Sequence, residues 1–465
     1  MSTEPVIPNE PQGVSILTRV PGPASEALRA RHQHFQDART IHLYQDARKS
    51  LGSFIVDADG NTLLDVYGHI AAVPIGYNHP ALLSAWKGGA FDWAAGFRPA
   101  LGIMPPPEWV DIVEAISKVA PVGLPRFVTV TTGSEAVENA FKAAFIAFMR
   151  RRRGGASWSE DDARLSMINA QPGVNELKIL SFEGAFHGRS LGALSATRSK
   201  AIHKLDVPAF AWPVVPFPAN KFPLNEHVHD NSALEASCLQ AVTDALDADG
   251  NIAALIVEPI QGEGGDRHAS PAFFRALRDL LKARGVFMIV DEVQTGAGAT
   301  GTFWAHEAWG LTDPPDFVTF SKKMQLGGFF YREEHAVPET YRIFNTYLGD
   351  PLRGAQLAVI LDVIAKDDLV AHTKRTGEKL LAGLLELQAR YPDVLSQARG
   401  VGTHCAIDAR DPATRDAIVG AVRQLGLEAG GSGDRSIRFR PPLVFASRHV
   451  GLALDLLSAA VATVR

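Results

Sequence analysis

The feature that most constrains the fold of this chain is a series of short apolar segments between about residues 125 and 320. Each is apolar at nearly every position rather than at every second one, which is typical of strands buried on both faces of a sheet. They occupy residues 127–131, 178–182, 254–257, 286–290 and 317–320. Helical segments such as 134–149 and 271–283 follow several of them. The pattern predicts an α/β fold in which a large, mostly parallel sheet is covered by helices.

The two ends of the chain predict a second, smaller α+β domain. Residues 53–67 contain two apolar runs around an Asp-Gly pair, which is typical of a β-hairpin. Residues 1 to about 25 are polar and rich in proline, which favours an extended arm. The predicted division is an arm with part of the small domain at 1–75, a large cofactor-binding domain at 76–350, and the remaining part of the small domain at 351–465.

Composition excludes several classes of protein. The 465 residues are 46% hydrophobic and 21% charged, so the chain has the balance of a globular protein and can bury a large core. Its two cysteines, Cys238 and Cys405, are too few and too far apart for a disulfide framework or a cysteine metal cluster. A net charge of -5 gives no electrostatic reason to bind nucleic acid or a membrane. Because the first residues also lack a signal-peptide pattern, we expect a cytoplasmic protein.

Three motifs suggest functions that their contexts disfavour. The arginine run at 150–153 follows a predicted helix, where cations suit the negative end of the helix dipole. His32 and His34 come without a third metal ligand. Residues 296–301 match the dinucleotide pattern G-x-G-x-x-G, but two carboxylates stand between the strand and the glycines and would repel a pyrophosphate. An NAD(P)-dependent dehydrogenase is therefore kept only as a distant alternative.

Residues suited to one cofactor follow three of the predicted strands. Asp291 ends one strand and could pair with a protonated pyridine nitrogen, while Lys322 follows another and could form a Schiff base with an aldehyde. Residues 132–134 open a helix whose free amides and hydroxyl could bind a phosphate. The carboxyl ends of parallel strands lie at one edge of a sheet, so these groups are expected to meet. Together they are what pyridoxal phosphate requires.

At these residues the sequence resembles the class III (ω-amino acid) aminotransferases of pyridoxal-phosphate fold type I, and among them the animal-type 4-aminobutyrate aminotransferases. The family signature is matched by Asp-Glu-Val-Gln-Thr-Gly at 291–296 and by Ser-Lys followed by Gly-Gly at 321–328. Further matching segments lie at 74–80, 184–189, 199–204, 257–266, 303–307, 341–346 and 436–441. Because the matches extend over almost the whole chain, the resemblance implies the fold, the cofactor and the type of reaction.

The resemblance assigns cofactor roles to eight positions: Gly133 and Ser134 hold the phosphate, Phe186 stacks on the ring, Glu258 lies near the cofactor, Asp291 pairs with the ring nitrogen, Gln294 bonds the ring hydroxyl, Lys322 forms the Schiff base, and Thr346 reaches the phosphate of the neighbouring subunit. The adjacent Lys323 does not match the family position. Since Thr346 would serve a second chain, the resemblance also implies a homodimer with shared active sites.

The resemblance further implies how substrates are read. Arg189 would bind the distal carboxylate of either substrate, and Arg438 the α-carboxylate of glutamate. Glu263 would pair with Arg438 while 4-aminobutyrate is bound, and Ile70 would line the pocket. The implied reaction moves the terminal amino group of 4-aminobutyrate to 2-oxoglutarate, giving succinate semialdehyde and glutamate, with Lys322, Asp291 and Glu263 as the catalytic groups.

Several alternatives stay open. Lysine 6-aminotransferases share the segment at 258–268, and β-alanine or 5-aminovalerate would fit the same arginine. A catalytically inactive binding protein would need a broken site, whereas Lys322, Asp291 and Arg189 are all present. The animal enzymes carry a cysteine pair that holds an iron–sulfur cluster between subunits. Thr132 and Glu135 occupy those positions here, so no such cluster and no other metal is expected.

Overall fold

The computed structural model describes residues 4–464. The strands are β1 Phe54–Val56, β2 Thr62–Asp65, β3 Arg126–Val130, β4 Lys178–Phe182, β5 Val214–Val215, β6 Ile252–Val257, β7 Phe287–Asp291, β8 Phe317–Phe320, β9 Gly327–Tyr331, β10 Leu395–Val401, β11 His404–Ala409, β12 Leu427–Glu428, β13 Gly430–Ser432 and β14 Ser436–Phe439. The helices are α1 Pro23–Gln33, α2 Gly68–Ala71, α3 Pro80–Lys87, α4 Asp92–Ala95, α5 Glu108–Ser117, α6 Gly133–Arg152, α7 Glu160–Ser166, α8 Leu191–Ala196, α9 Val228–Ala248, α10 Pro271–Arg284, α11 Pro351–Lys366, α12 Leu369–Arg390, α13 Pro412–Gln424 and α14 Ser447–Thr463.

A seven-stranded sheet with the order β3-β9-β8-β7-β6-β4-β5 forms the centre of the large unit. The strands from β8 to β5 pair in parallel, and β9 runs antiparallel to both of its neighbours, β8 and β3. All five predicted apolar segments are strands of this sheet. The sheet is therefore mostly parallel, as the apolar pattern predicted, with one antiparallel strand that the pattern did not reveal.

Both faces of this sheet are covered, which explains why its strands are continuously apolar. Along β7, Met288 and Val290 belong to one apolar cluster with side chains of α5, α9 and α10, whereas Phe287 and Ile289 belong to another with α6. Every residue of β6, β7 and β8 is buried. An alternating pattern would have left one face in water.

A separate core combines the two chain ends. The hairpin of β1 and β2 pairs in parallel with β12 from the distant C-terminal part, and β10, β11, β14 and β13 form a four-stranded sheet nearby. Side chains from β1, β2, α12, α13 and α14 pack together in this core. The fold class is thus the predicted α/β arrangement with a smaller α+β unit from both ends. The boundaries at residues 75 and 350 stay a prediction.

Local expectations at the chain start can also be compared with the structure. The Asp-Gly turn lies between β1 and β2, so the predicted hairpin is present. The arm is shorter than predicted, because α1 begins at Pro23, where proline suits the first helical turn. The first three residues of the predicted arm lie outside the described residues. Within residues 4–464, no helix combines the length and apolarity needed to cross a bilayer.

Candidate active site

The candidate site lies at the carboxyl ends of the central strands of the large sheet. Asp291 is the last residue of β7, Glu258 directly follows β6, and Lys322 follows β8 after a single serine. These three strands are neighbours in the order β8-β7-β6. The topology therefore brings together an amine and two carboxyl groups that are far apart in the sequence, at the edge where parallel sheets bind ligands.

The N-terminus of α6 forms the candidate phosphate cradle. Thr132 caps the helix by accepting the amide of Glu135 at 3.3 Å, and the Glu135 carboxylate accepts the amide of Thr132 at 3.1 Å. The backbone at Gly133 lies against the strand tips, since a side-chain carbon there would approach Val293 to 2.9 Å. Ser134 Oγ accepts the amide of Arg189 at 3.3 Å. The helix start thus joins the β3 tip to the tips of β7 and β4.

Lys322 is half-buried and lies among charges of both signs. Burial lowers the pKa of its amine to about 8, although the charges of Glu263, Asp291 and Glu258 act in the opposite direction. Its backbone adopts a left-handed conformation with φ +48° at the start of a short 3₁₀ turn. A buried amine with a depressed pKa is partly neutral near pH 7, which is the form that attacks an aldehyde.

Asp291 is held in place from two sides. Its Oδ2 lies 2.8 Å from Nδ1 of the buried His187, and its Oδ1 accepts the hydroxyl of Thr319 at 3.0 Å and the amide of Val293 at 3.1 Å. The side chain is only 4% exposed. A carboxylate fixed in this way is oriented for one further positive partner.

Glu258 differs in character from Asp291. Its two oxygens accept the amides of Phe186 at 2.9 Å and Gly262 at 3.2 Å. Burial, followed by the nearby charge of Asp291, raises the pKa of Glu258 well above its usual value. Glu258 therefore retains a proton more readily than a free glutamate. It also ties the segment that carries Phe186 to the tip of β6.

Two arginines lie beside these groups. The buried Arg438 of β14 donates to Glu263 Oε1 at 2.6 Å. Burial alone would raise the pKa of Glu263, but the Arg438 guanidinium outweighs it and holds the pKa below its usual value. The exposed Arg189 contacts Nε2 of His203 at 3.3 Å and lies over the ring of Phe186 at 5.6 Å. Among the described residues, Arg189 therefore has no carboxylate partner, whereas Arg438 is paired with one.

Ile70 lies in an unusual backbone conformation. The whole of α2 is a left-handed turn, with φ of +57° at Gly68, +50° at His69, +60° at Ile70 and +65° at Ala71. Left-handed helical geometry costs roughly 1–2 kcal/mol for each residue with a side chain. Gly68 is needed here for a second reason, since a Cβ would clash with the carbonyl of Arg440. Ile70 remains 38% exposed despite this constrained backbone.

Among the described residues, Thr346 makes no hydrogen bond with the other predicted site residues. It is exposed on the loop between β9 and α11. This loop is anchored by its neighbours, because the Leu348 carbonyl accepts the hydroxyl of Thr129 at 2.6 Å and Arg98 lies 4.0 Å from the centre of the Tyr347 ring. Its predicted contact with the cofactor of a neighbouring subunit remains a prediction about a second chain.

Sequence reasoning missed several residues of the site. His187 and His203 lie inside matched motifs but were given no role, although they contact Asp291 and Arg189 respectively. The buried Arg440 donates to Gln294 Oε1 at 3.1 Å and pairs with Asp266, so it links Gln294 to the segment that carries Glu263. Arg440 lies in the matched segment 436–441, and its place two residues after Arg438 indicated a shared face, because alternate strand residues lie on the same side.

The arginine run at 150–153 and the glycine motif at 296–301 both have contacts within the fold that account for residues in them. Arg151 and Arg152, in the last turn of α6, donate to the carbonyls of Gly285 and Gly250. In the glycine motif, a side-chain carbon at Gly301 would approach Lys374 of α12 to 2.9 Å, so close packing explains this glycine. Among residues 4–464 there is no group of three or more His, Cys, Asp or Glu side chains that could hold a metal ion.

The donor set of the site fits pyridoxal phosphate. A partly neutral amine at Lys322, an oriented carboxylate at Asp291 and a helix N-terminus with Ser134 correspond to its aldehyde, its pyridine nitrogen and its phosphate. Lys322 and Asp291 follow the neighbouring strands β8 and β7. Ser134 follows β3, which lies beyond β9, and the adjacent Gly133 packs against Val293 at the tip of β7. Phe186 is tied to the same edge through Glu258. We conclude that the residues present suit this cofactor.

Comparisons with known proteins agree with this chemistry. The family model for class III aminotransferases matches residues 35–461. The chain is 47% identical over 455 residues to mitochondrial 4-aminobutyrate aminotransferase from Mus musculus, covering 97% of this chain and 91% of the relative. It is 48% identical over 453 residues to 4-aminobutyrate aminotransferase from Dictyostelium discoideum, covering 97% and 92%. A solved lysine aminotransferase from M. tuberculosis, in its internal aldimine form, superimposes with a TM-score of 0.86 at 31% identity, covering 95% of this chain and all of that one.

Proposed function

Since the chain belongs to the class III aminotransferases and is a pyridoxal-phosphate-dependent enzyme of that family, we propose that it transfers the terminal amino group of 4-aminobutyrate to 2-oxoglutarate. The products are succinate semialdehyde and glutamate. The ω-amino substrate is supported by relatives from animals and Dictyostelium that are named for this activity at 44–48% identity. The site supports it through two guanidinium groups that suit carboxylates at two positions.

The chain's own residues supply proton transfer and charge control. When bound, pyridoxal phosphate supplies an aldehyde that takes up the amino group and a ring that accepts an electron pair from the substrate. Lys322, with a pKa of about 8, moves the proton from the substrate carbon that bears nitrogen. Asp291, oriented by His187 and Thr319, keeps the ring nitrogen protonated. Residues 133 and 134 hold the phosphate through the N-terminus of α6.

The ion pair between Glu263 and Arg438 is the observation that supports an ω-amino acid as the amino donor. An ω-amino acid has no carboxylate beside its reacting amine, so Arg438 would be left buried without a partner unless Glu263 masks it. Glutamate brings its own α-carboxylate and displaces Glu263. Arg189, at the exposed side of the site, binds the distal carboxylate of both substrates. One pocket thereby accepts substrates that differ by one carboxylate.

Transfer of the 6-amino group of lysine to 2-oxoglutarate is the second candidate. It is favoured by the similarity to the lysine aminotransferase of M. tuberculosis and by the shared segment at 258–268. Lysine carries its carboxylate and α-amine far from the reacting amine, so it also leaves Arg438 masked by Glu263. The two candidates therefore differ in how the far end of the substrate is bound, near Arg189 and Ile70.

A panel of amines assayed with 2-oxoglutarate tests the proposal. The purified enzyme loaded with pyridoxal phosphate is given 4-aminobutyrate, β-alanine, 5-aminovalerate or lysine, and glutamate formation is measured. We expect the highest kcat/KM with 4-aminobutyrate. A higher value with lysine would replace the proposed substrate, and glutamate formation with none of the four would refute the ω-amino assignment.

The proposal includes a cytoplasmic homodimer without an iron–sulfur cluster. Thr132 and Glu135 form the capping box of α6, which satisfies backbone groups that a cysteine pair would leave to other partners. Exposed apolar side chains such as Leu191, Ile202 and Phe210 suit a covered surface. Sedimentation, iron analysis and cell fractionation test these three points separately.

A further inference from the structure

The left-handed turn Gly68–Ala71 requires support from outside its own segment. Three of its four residues carry side chains, and none of these side chains relieves the unfavourable backbone angles. The turn nevertheless makes only short-range bonds internally, such as the Ala72 amide to the Gly68 carbonyl at 2.7 Å. Its last carbonyls point away from these bonds and need donors from elsewhere in the fold.

Those donors come from the segment that directly follows Lys322. Lys323 Nζ donates to the carbonyl of Ala71 at 3.1 Å, and Gln325 Nε2 donates to the carbonyl of Ala72 at 3.0 Å. The Gln325 amide group also donates to the carbonyl of Lys322 at 3.0 Å. The segment that carries the reactive lysine and the left-handed turn are therefore joined directly, across more than 250 residues of sequence.

Lys323 is an unexpected donor for this position. It is 1% exposed, and among the described residues no carboxylate forms an ion pair with it. Burial, followed by the nearby positive charge of Arg440, lowers the pKa of its amine to about 7. An apolar side chain would fill this space without the cost of burying an amine. The bond to Ala71 is the evident compensation.

The first residues of the turn lie next to the part of the site that is proposed to bind substrate. The ring of Tyr67, the residue before Gly68, lies 5.4 Å from the guanidinium of Arg438. The Asp65 carboxylate accepts the amides of Tyr67 and Gly68 at 2.8 and 2.9 Å, which fixes the entry to the turn. Movement of Ala71 would therefore displace Ile70 and Tyr67, beside the arginine that reads the substrate.

We propose that Lys323 is a positioning residue for substrate binding, whose buried amine holds the strained turn Gly68–Ala71 in the conformation that presents Tyr67 and Ile70 to the site. It acts through the backbone of Ala71 and not on the cofactor. The kinetic part of this proposal rests on the proposed function, whereas the conformational part does not.

The variant Lys323→Met keeps most of the side-chain volume and removes the donor. We expect the cofactor absorption band to remain, KM for the amino donor to rise about tenfold, and kcat to change less than about twofold. Hydrogen exchange at the amides of residues 71–73 should become at least about tenfold faster. Lys178→Met is the matched control, because it removes a half-buried lysine at the start of β4, the end of the strand away from the site. It should change neither KM nor the exchange rate.

Relief of the strain should reverse the effect. Glycine tolerates positive φ, so His69→Gly in the Lys323→Met background should restore slow exchange and lower KM again. If Lys323→Met does not fold, Gln325→Met removes the second donor and should show the same changes at smaller size. The proposal would be overturned if Lys323→Met and Gln325→Met both kept the wild-type KM and exchange rates. It would also be overturned if Lys323→Met lost the cofactor band, or if adding His69→Gly did not lower its KM. Failure of the proposed function would instead appear as a wild-type enzyme inactive toward 4-aminobutyrate, with the exchange effect unchanged.

Discussion

At the scale of single residues, the chemistry of the site depends on how buried charges are compensated. Lys322 and Lys323 are adjacent, and Lys322 is half-buried whereas Lys323 is fully buried. Lys322 lies among the charges of Glu263, Asp291 and Glu258, whereas Lys323 donates to a backbone carbonyl. Burial lowers the pKa of both amines. The same side chain thus supports different roles according to its neighbours.

Replacing Lys322 tests the assignment of the reactive amine. We expect Lys322→Ala to lose turnover and the absorption band of the covalently attached cofactor, because no other amine in the site would take its place. The measurement is the visible spectrum after incubation with pyridoxal phosphate, followed by the glutamate assay. Lys323→Met serves as the adjacent control, and a persistent band in Lys322→Ala would assign the attachment to another residue.

The pKa of Lys322 makes cofactor uptake dependent on pH. The neutral amine attacks the aldehyde, and its fraction rises about tenfold per pH unit below the pKa and levels off above it. We therefore expect the uptake rate of the cofactor-free protein to increase up to about pH 8 and then to change little. Stopped-flow absorbance measures this rate. A profile that continues to rise to pH 10 would mean that burial does not lower the pKa.

Removing Glu263 tests the masking of Arg438. Without the carboxylate, Arg438 is buried and unpaired while an ω-amino acid is bound, which costs about 3–5 kcal/mol. We expect Glu263→Ala to slow the 4-aminobutyrate half-reaction at least about tenfold and the glutamate half-reaction much less. Single-turnover absorbance measures both. Equal losses in the two half-reactions would contradict the masking role.

At the scale of secondary structure elements, the N-terminus of α6 combines helix capping with cofactor binding. The capping box of Thr132 and Glu135 leaves the amides of Gly133 and Ser134 at the strand tips. The close approach of Gly327 in β9 to the carbonyl of Thr132 places this end against the sheet. The first turn of α6 is therefore fixed by its own capping box and by packing against β9.

Removing the cap should weaken both functions. We expect Thr132→Ala to destabilise the protein by about 1 kcal/mol and to weaken pyridoxal phosphate binding several-fold. Denaturant unfolding and equilibrium dialysis measure the two effects. Ser159→Ala removes the similar capping box of α7 and should affect stability alone. If both variants bound the cofactor equally well, the cap of α6 would have no part in the cradle.

At the scale of the whole molecule, the exposed Thr346 relates the proposed dimer to the active site. If each site combines Lys322 of one chain with Thr346 of another, the variants Lys322→Ala and Thr346→Ala complement each other in a mixed dimer. We expect mixing under exchange conditions to restore up to about one intact site per mixed dimer, measured as tightly bound cofactor. Mixing each variant with itself is the control. No recovery in a proven mixed dimer would place Thr346 outside the shared site.

The sequence predicted where Asp291 and Lys322 lie because both residues follow buried strands. Continuous apolar segments indicated a sheet covered on both faces, and Asp291 and Lys322 followed two of them. Strand β9 escaped prediction because it begins with two glycines, which have low strand propensity and need close packing to be placed. The role of Lys323 escaped prediction because a lysine is expected at the surface.

Local patterns by themselves determined the α/β class, the helix starts and the strand ends, since these depend on apolar spacing and on neighbouring residues in the chain. Only the tertiary structure decided that His187 orients Asp291, that Arg440 bonds Gln294, and that Lys323 supports a left-handed turn. Each of these contacts joins residues that are more than 100 positions apart. The packing of strands and loops brings these partners together, so the contacts cannot be predicted from local sequence patterns.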